Sequence, residues 1–178
     1  MSAVSNARWI ATAQAAKIAV QVVSVAVLAR LLSPQDYGLI AMVWVVGNLV
    51  GLLRDMGTAA AIVQEPDLTP ETTNAVFWIN IALGVLLCCA ILLLATPVAA
   101  LFKTAEVSFL LSMLAPSFAI GGAGAVPRAL LERRSAFRII AGVEISSSLL
   151  GLVITILAAL LGAGAMSFIW GVLGMSLL

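Results

Sequence analysis

Residues 75–101 read AVFWINIALGVLLCCAILLLATPVAAL and contain no charged side chain. A helix needs about 20 consecutive apolar residues to cross the hydrocarbon core of a bilayer, which is roughly 30 Å thick. Inside lipid, every backbone N–H and C=O group must be paired within the segment, and a helix of this length does so unaided. The stretch therefore predicts a transmembrane helix.

The rest of the chain divides into further apolar stretches. Four of them are also long enough to cross a bilayer, namely Trp9–Leu32, Tyr37–Leu53 (extendable to Val63), Val107–Pro127 and Ile139–Leu161. A last stretch, Ala165–Leu178, is too short to cross at 14 residues. We expect an all-α fold, a polytopic membrane helix bundle of about five complete transmembrane helices plus a truncated sixth.

A surface in water needs more charge than this chain contains. Hydrophobic residues make up 63% of the chain and charged residues only 10%, with a mean hydropathy of +1.18. Soluble globular domains carry roughly 25% charged residues, so this composition excludes a water-soluble domain. The net charge of +1 also argues against a nucleic-acid partner.

The residue types needed for catalysis or metal binding are missing from the sequence. It has no histidine, no glycine-rich phosphate loop and no pair of carboxylates at comparable membrane depth. Cys88 and Cys89 are adjacent within an apolar stretch, and we interpret them as small packing residues rather than metal ligands or a disulfide. We expect no enzyme activity, no catalytic residue, no metal and no cofactor.

The distribution of basic residues predicts the orientation in the membrane. With the N-terminus in the cytoplasm, the outside turns carry only Arg30 and Lys103. The turn at 64–74, also inside, is acidic, but acidic residues count little in this rule. The inside regions carry the remaining basic residues of the loops, which are Arg8, Arg128, Arg133, Arg134 and Arg138.

Two short motifs predict where helices begin. Ser33-Pro34-Gln35-Asp36 supplies a capping hydroxyl, a proline at the first helical position and an acid in the first turn. Thr69-Pro70-Glu71 repeats the pattern before the third span. We expect helices to begin at Pro34 and Pro70.

The fourth span is rich in residues that bend helices or allow close packing. Proline removes an intrahelical hydrogen bond, and glycine lets neighbouring helices approach. The span is therefore predicted to be kinked or tightly packed, and a kink could serve a rocking motion. The residues concerned are Pro116, Gly121, Gly122, Gly124 and Pro127.

A polar stripe runs along the first span. Its members are three, four and three residues apart, so they share one helical face. Lys17 lies about 12 Å beyond Trp9 at 1.5 Å per residue, and a charge near mid-membrane costs at least ~2.5 kcal/mol. Such a face lines a water-filled cavity, or Lys17 pairs with an acid on a neighbouring helix. The stripe consists of Gln14, Lys17, Gln21 and Ser24.

Polar residues also occur in the second and fifth spans. Asn48, Gly51 and Asp55 are three and four residues apart, and Arg54 beside Asp55 points away from it, so each needs another partner or interfacial water. Glu144 in the fifth span could pair with Lys17, carry a proton or lie at the interface. The candidate substrate-binding, cavity-lining residues are thus Lys17, Gln14, Gln21, Asn48, Arg54, Asp55 and Glu144.

Three segments resemble a known family. Residues 29–42, ARLLSPQDYGLIAM, are similar to the first-turn signature of the Wzx-type polysaccharide flippases. Residues 54–64, RDMGTAAAIVQ, and 127–138, PRALLERRSAFR, resemble the end of that family's second helix and the connector before its fifth. This family is part of the multidrug/oligosaccharidyl-lipid/polysaccharide exporter superfamily, and the colanic-acid and lipopolysaccharide exporter branch is the most similar.

The resemblance implies a multi-pass protein of the bacterial inner membrane with two lobes around a central cavity. Residues 1–178 would supply part of the N-terminal lobe. Such proteins move undecaprenyl-pyrophosphate-linked oligosaccharides outward by alternating access, with partners that include membrane lipids and the polysaccharide assembly machinery. Lys17 and Arg54 would receive the anionic headgroup, and the arginines at 128–138 could contact either that headgroup or anionic lipid.

Two other functions remain open at this stage. A multidrug or cation antiporter of the same superfamily would favour buried acids over buried cations, and the Lys17 stripe counts against it. An inactive, truncated membrane protein would use its polar stripes only to hold helices together.

Overall fold

The computed structural model of the chain describes residues 3–54, 62 and 68–177, without the side chains of 3–13, 16 and 17. Within these ranges the chain forms helices and turns and no strand. The helices are α1 (Ala3–Leu31), α2 (Pro34–Arg54), α3 (Pro70–Leu101), α4 (Glu106–Leu114), α5 (Pro116–Arg133), α6 (Phe137–Leu160) and α7 (Met166–Ser176).

The expected membrane helix bundle is confirmed. Four helical stretches of the described chain are long and apolar enough to cross a membrane: Pro34–Arg54, Pro70–Leu101, Glu106–Arg133 and Phe137–Leu160. Two shorter apolar helices are Ile18–Leu31, the apolar part of α1 whose side chains are described, and Met166–Ser176. The predicted extension of the second span to Val63 lies outside the described residues.

Large apolar side chains point outward from these helices. Leu93 on α3 is 78% exposed and Leu157 on α6 is 55% exposed. Contiguous exposure of this kind is rare on soluble monomers but is the normal state of a helix surrounded by lipid. The exposed faces therefore agree with the hydropathy of the sequence.

The predicted start of α3 is confirmed by its cap. The Thr69 Oγ1 atom accepts a hydrogen bond from the Thr72 backbone N–H at 3.2 Å, and Pro70 occupies the first helical position. The helix thus begins five residues before the apolar run that starts at Ala75. It is 32 residues long, so its first turns extend beyond the apolar part.

The fourth span is two helices, α4 and α5, with a break at Ala115. Pro116 has no N–H to donate to the preceding turn, and its ring crowds the carbonyl four residues back. The chain compensates locally: the Ser117 hydroxyl donates to the Leu114 carbonyl at 2.7 Å, and the Phe118 N–H donates to the Ala115 carbonyl at 3.1 Å. The helix break therefore lies at Pro116, whereas Pro127 lies inside α5, and the expected kink stays a prediction.

The described chain divides into two compact units. The central unit is Pro34–Ala129, and the terminal unit combines Met1–Ser33 with Leu130–Leu178. In the central unit α2 packs on α3 and α4, and α3 packs on α4. In the terminal unit α6 packs on both α1 and α7.

Backbone contact at glycine joins α3 to α5 in the central unit. A Cβ atom on Gly122 would lie 2.5 Å from the Asn80 carbonyl oxygen and 3.4 Å from the Gly84 Cα. A Cβ atom on Gly84 would lie 2.7 Å from the Phe118 carbonyl oxygen. Only glycine fits at both positions, so the tight packing expected of the fourth span is confirmed at Gly122.

The terminal unit has an equivalent contact between α6 and α7. A Cβ atom on Gly151 would lie 3.0 Å from the Gly171 carbonyl oxygen, and one on Gly171 would lie equally close to the Gly151 carbonyl. Thr155 beside them is buried and donates its hydroxyl to the Gly151 carbonyl at 2.8 Å. The contact therefore brings two helix backbones together without an unpaired hydroxyl at Thr155.

Three helices end in the same hydrogen-bonded turn. At the end of α6, the Gly162 N–H donates to the Ala159 carbonyl and the Ala163 N–H donates to the Ala158 carbonyl, with Gly162 at φ 79°. This is the Schellman arrangement, in which one residue adopts the left-handed conformation. Lys103 after α3 and Ser135 after α5 occupy the equivalent position at φ 54° and 52°.

Replacing Gly122 by alanine is expected to lower the free energy of unfolding by about 1–3 kcal/mol, because the new methyl group overlaps the α3 backbone. Gly124→Ala is the matched control, since a Cβ atom there meets nothing within 4 Å. The free energy of unfolding of both variants is measured in detergent, with circular dichroism as the probe of unfolding. Equal stability of the two variants would contradict the close approach of α3 and α5.

Gly162→Ala is expected to lower the free energy of unfolding by about 1 kcal/mol, because a left-handed conformation is unfavourable for a residue with a Cβ atom. No atom lies within 4 Å of the added methyl group, so the effect is conformational rather than steric. Gly142→Ala in α6 is equally unobstructed and should be neutral or slightly stabilising. The same unfolding measurement compares the two, and a neutral Gly162→Ala would contradict the expectation.

Candidate functional site

The polar stripe of the first span lies on α1. Gln14 and Gln21 are exposed and Ser24 is half-buried. Leu28, one turn further along the same face, is 5% exposed. The side chains on this face are therefore exposed at Gln14 and Gln21 and become buried toward the C-terminal end of the helix.

Lys17 lies in α1 between these two glutamines, but its side chain is outside the described part of the chain. The helical spacing of three and four residues places its Cα on the same face as Gln14 and Gln21. Beside them, Gln21 lines a shallow open depression together with Ile18 and Val22.

The stripe of the second span lies on α2 in the central unit. Asn48 is exposed, and a Cβ atom on Gly51 would meet nothing within 4 Å. Gly47, next to Asn48, lies instead near the Leu114 side chain, 3.5 Å from its Cδ2 atom. α2 therefore packs on α4 beside Gly47 and leaves the Asn48–Gly51 face open, while Asp55 lies outside the described residues.

Arg54 at the end of α2 reaches α5. Its Nη1 atom would lie 2.5 Å from a Cβ atom on Gly121, and its Cζ atom 3.6 Å from it. Both residues belong to the central unit, and Arg54 is half-buried. The sequence singled out both residues, Arg54 for its charge and Gly121 for packing, but gave no signal that they meet.

Glu144 lies in α6 and is half-buried. Its backbone carbonyl accepts the hydroxyl hydrogen bonds of Ser147 at 3.2 Å and Ser148 at 2.7 Å. On the same face, Ser148 is buried and Gly151 contacts α7. Glu144 and Lys17 lie in the same unit, but their pairing stays a prediction because the Lys17 side chain is not described.

Arginines surround the turn between α5 and α6. Arg133 ends α5, Ser135 makes the left-handed turn, and Arg138 lies in the first turn of α6. Arg134 and Arg138 are exposed, and Arg133 is half-buried. The turn thus presents positive charge at one end of the terminal unit.

The described residues hold no group of three or more histidine, cysteine, aspartate or glutamate side chains arranged to bind a metal ion. Cys88 and Cys89 are free thiols on α3. The polar side chains of the candidate residues on α1 and α2 that the structure describes are the amides of Gln14, Gln21 and Asn48 and the guanidinium of Arg54.

Comparison with known proteins identifies related sequences along nearly the whole chain. A family model described as "Polysaccharide biosynthesis protein" matches residues 27–178. The succinoglycan biosynthesis transport protein ExoT of Rhizobium meliloti (strain 1021) is 32% identical over 168 residues, which cover 94% of this chain and 33% of ExoT.

Two further relatives come from other bacteria. The lipopolysaccharide biosynthesis protein WzxC of Escherichia coli (strain K12) is 29% identical over 170 residues, covering 96% of this chain and 35% of WzxC. The teichuronic acid biosynthesis protein TuaB of Bacillus subtilis (strain 168) is 25% identical over 146 residues, covering 82% of this chain and 30% of TuaB. No solved structure matches the chain.

The chain spans about one third of the length of these curated relatives. The resemblance to Wzx-type flippases carried by residues 29–42, 54–64 and 127–138 is confirmed, since the family model includes all of these positions. The chain is accordingly a multi-pass membrane protein that belongs to the polysaccharide biosynthesis protein family.

Proposed function

We propose that this chain is part of the N-terminal lobe of an exporter that moves lipid-linked oligosaccharide across the bacterial inner membrane. The observation that carries the proposal is the match of 94% of the chain to ExoT, which is named a transport protein. WzxC and TuaB are named for the biosynthesis of other surface polysaccharides. A transporter needs no bond-breaking residues, which agrees with the residue types on α1 and α2.

The exposed polar side chains on α1 and α2 give a physical reason to propose transport. Gln14 and Gln21 on α1 and Asn48 on α2 are exposed on helices that are otherwise apolar. Burying an amide in hydrocarbon without a partner costs roughly 4–8 kcal/mol. These faces are therefore stable only if they meet water, another polar surface or a polar substrate, and a hydrated pathway provides all three.

Cations on these faces fit an anionic substrate. Lys17 lies between Gln14 and Gln21, and Arg54 ends the Asn48 face. Phosphate groups pair with guanidinium and ammonium groups through charge-assisted hydrogen bonds, which are stronger than neutral ones. An undecaprenyl-pyrophosphate carrier would place such a group within reach of the membrane helices, while the amides hydrogen-bond sugar hydroxyls.

The orientation of the chain follows from its basic residues. With the N-terminus in the cytoplasm, the arginine-rich turn between α5 and α6 lies on the side where a lipid-linked precursor is assembled. Arginines there attract anionic headgroups at about 1 kcal/mol each. They would raise the local concentration of substrate before it enters the pathway.

Alternating access needs a second lobe on the other side of the cavity. Because the chain spans about one third of the length of its relatives, transport in our proposal requires the remainder of a two-lobed protein. Functional assays therefore use the protein as the cell expresses it.

Lys17→Ala is expected to remove most polysaccharide export while leaving membrane insertion intact, because the headgroup loses a charge-assisted contact worth ~1.5–3 kcal/mol. That loss corresponds to an export rate reduced about 10–100-fold. The measurement is surface polysaccharide in cells whose only copy of the gene carries the substitution, with protein abundance in the membrane fraction as the reference.

Val23→Ala is the matched control, since Val23 is 49% exposed on the opposite face of α1 from Gln14 and Gln21. Unchanged export in Lys17→Ala cells would remove Lys17 from the site. Efflux of ethidium from vesicles, together with normal export in the mutant, would favour a drug antiporter instead. Loss of insertion or abundance in Lys17→Ala cells would indicate that the stripe only holds helices together.

A further inference from the structure

The contact between Arg54 and Gly121 differs from the other glycine contacts of the central unit. At Gly84 and Gly122 the missing methyl group makes room for backbone atoms of a neighbouring helix. At Gly121 the atoms that fill the space are the Nη1 and Cζ atoms of the Arg54 guanidinium. The gap at Gly121 therefore accommodates a charged side chain rather than a helix crossing.

A side chain at position 121 would displace the Arg54 guanidinium. A Cβ atom there would lie 2.5 Å from Nη1, which is closer than nonbonded carbon and nitrogen atoms approach. Gly124, one turn along the same helix, has open space around its Cβ position. The requirement for glycine is thus specific to the position that Arg54 contacts.

The Arg54 guanidinium lies against α5 at Gly121. Arginine has a long flexible side chain, and its planar fork binds phosphate bidentately only when it is correctly oriented. A contact with α5 that restricts the side chain before a ligand arrives lowers the entropic cost of binding. Arg54 as a whole residue is half-buried.

We infer that Gly121 is a positioning residue that seats the Arg54 guanidinium for contact with the diphosphate of a lipid carrier. The inference rests on the proposed function for the identity of the ligand. The contact between Gly121 and Arg54 is independent of it. The same chemistry would also accept the phosphate of a membrane phospholipid, and the experiment separates the two sources.

The test measures the affinity of the protein for undecaprenyl pyrophosphate in nanodiscs of zwitterionic phosphatidylcholine. Gly121→Ala is expected to weaken binding about tenfold, the loss of roughly one charge-assisted hydrogen bond. Gly124→Ala should bind as the unsubstituted protein does. Repeating the titration with phosphatidylglycerol in the nanodiscs should leave the affinity unchanged, and strong competition by that lipid would overturn the assignment of the ligand.

A second substitution separates positioning from simple misfolding. Arg54→Lys keeps the charge but removes the Nη1 atom that a methyl group on position 121 would displace. In the Arg54→Lys background, Gly121→Ala is therefore expected to have no further effect on affinity. An equal loss in both backgrounds would show a general distortion of α5 and would overturn the inference, as would normal affinity of Gly121→Ala alone.

Thermal unfolding of the same four proteins distinguishes failure of the inference from failure of the proposed function. If Gly121 contacts Arg54, the shifts in Tm caused by Gly121→Ala and Arg54→Lys are not additive. Non-additive shifts with no binding of undecaprenyl pyrophosphate by the unsubstituted protein would support the contact and reject the proposed substrate. Additive shifts would overturn the contact itself.

Discussion

Close approach of helix backbones at glycine is the interaction on which both units of this protein depend. Lipid tails are as apolar as leucine, so burial of apolar side chains gives membrane helices little reason to associate. Membrane helices associate instead through van der Waals contact between closely packed backbones, and this contact requires small residues where helices cross. Gly84 and Gly122 meet this requirement between α3 and α5, and Gly151 and Gly171 do so between α6 and α7.

The parts of the fold that could be predicted from the sequence are those set by local chemistry. Hydropathy located the spans because each helix must satisfy its own backbone in lipid. The Thr69 cap and Pro116 located the start of α3 and the break after α4, because both act within one turn of the chain. The early start of α3 relative to Ala75 shows that a cap, rather than the edge of an apolar run, determines where a helix begins.

The candidate site was predictable only in part. Helical spacing places Gln14 and Gln21 on one face of α1, and both are exposed, but their role in a site stays a prediction. The spacing could not show that this face is buried at Leu28, because burial depends on how the helices pack against one another. Nor could it connect Arg54 with Gly121, which are distant in sequence and meet only because α2 and α5 are neighbours in the folded central unit.

The length of α3 has a consequence for the membrane around it. The apolar part of this helix, Ala75–Leu101, is about 40 Å long at 1.5 Å per residue, against a hydrocarbon core of about 30 Å. The surplus must be accommodated by tilting of the helix or by local thickening of the bilayer, at a cost of fractions of a kcal/mol per Å of mismatch. The acyl-chain length of the surrounding lipids is therefore a variable that acts on this protein directly, through a helix that is too long to stand upright in an average bilayer.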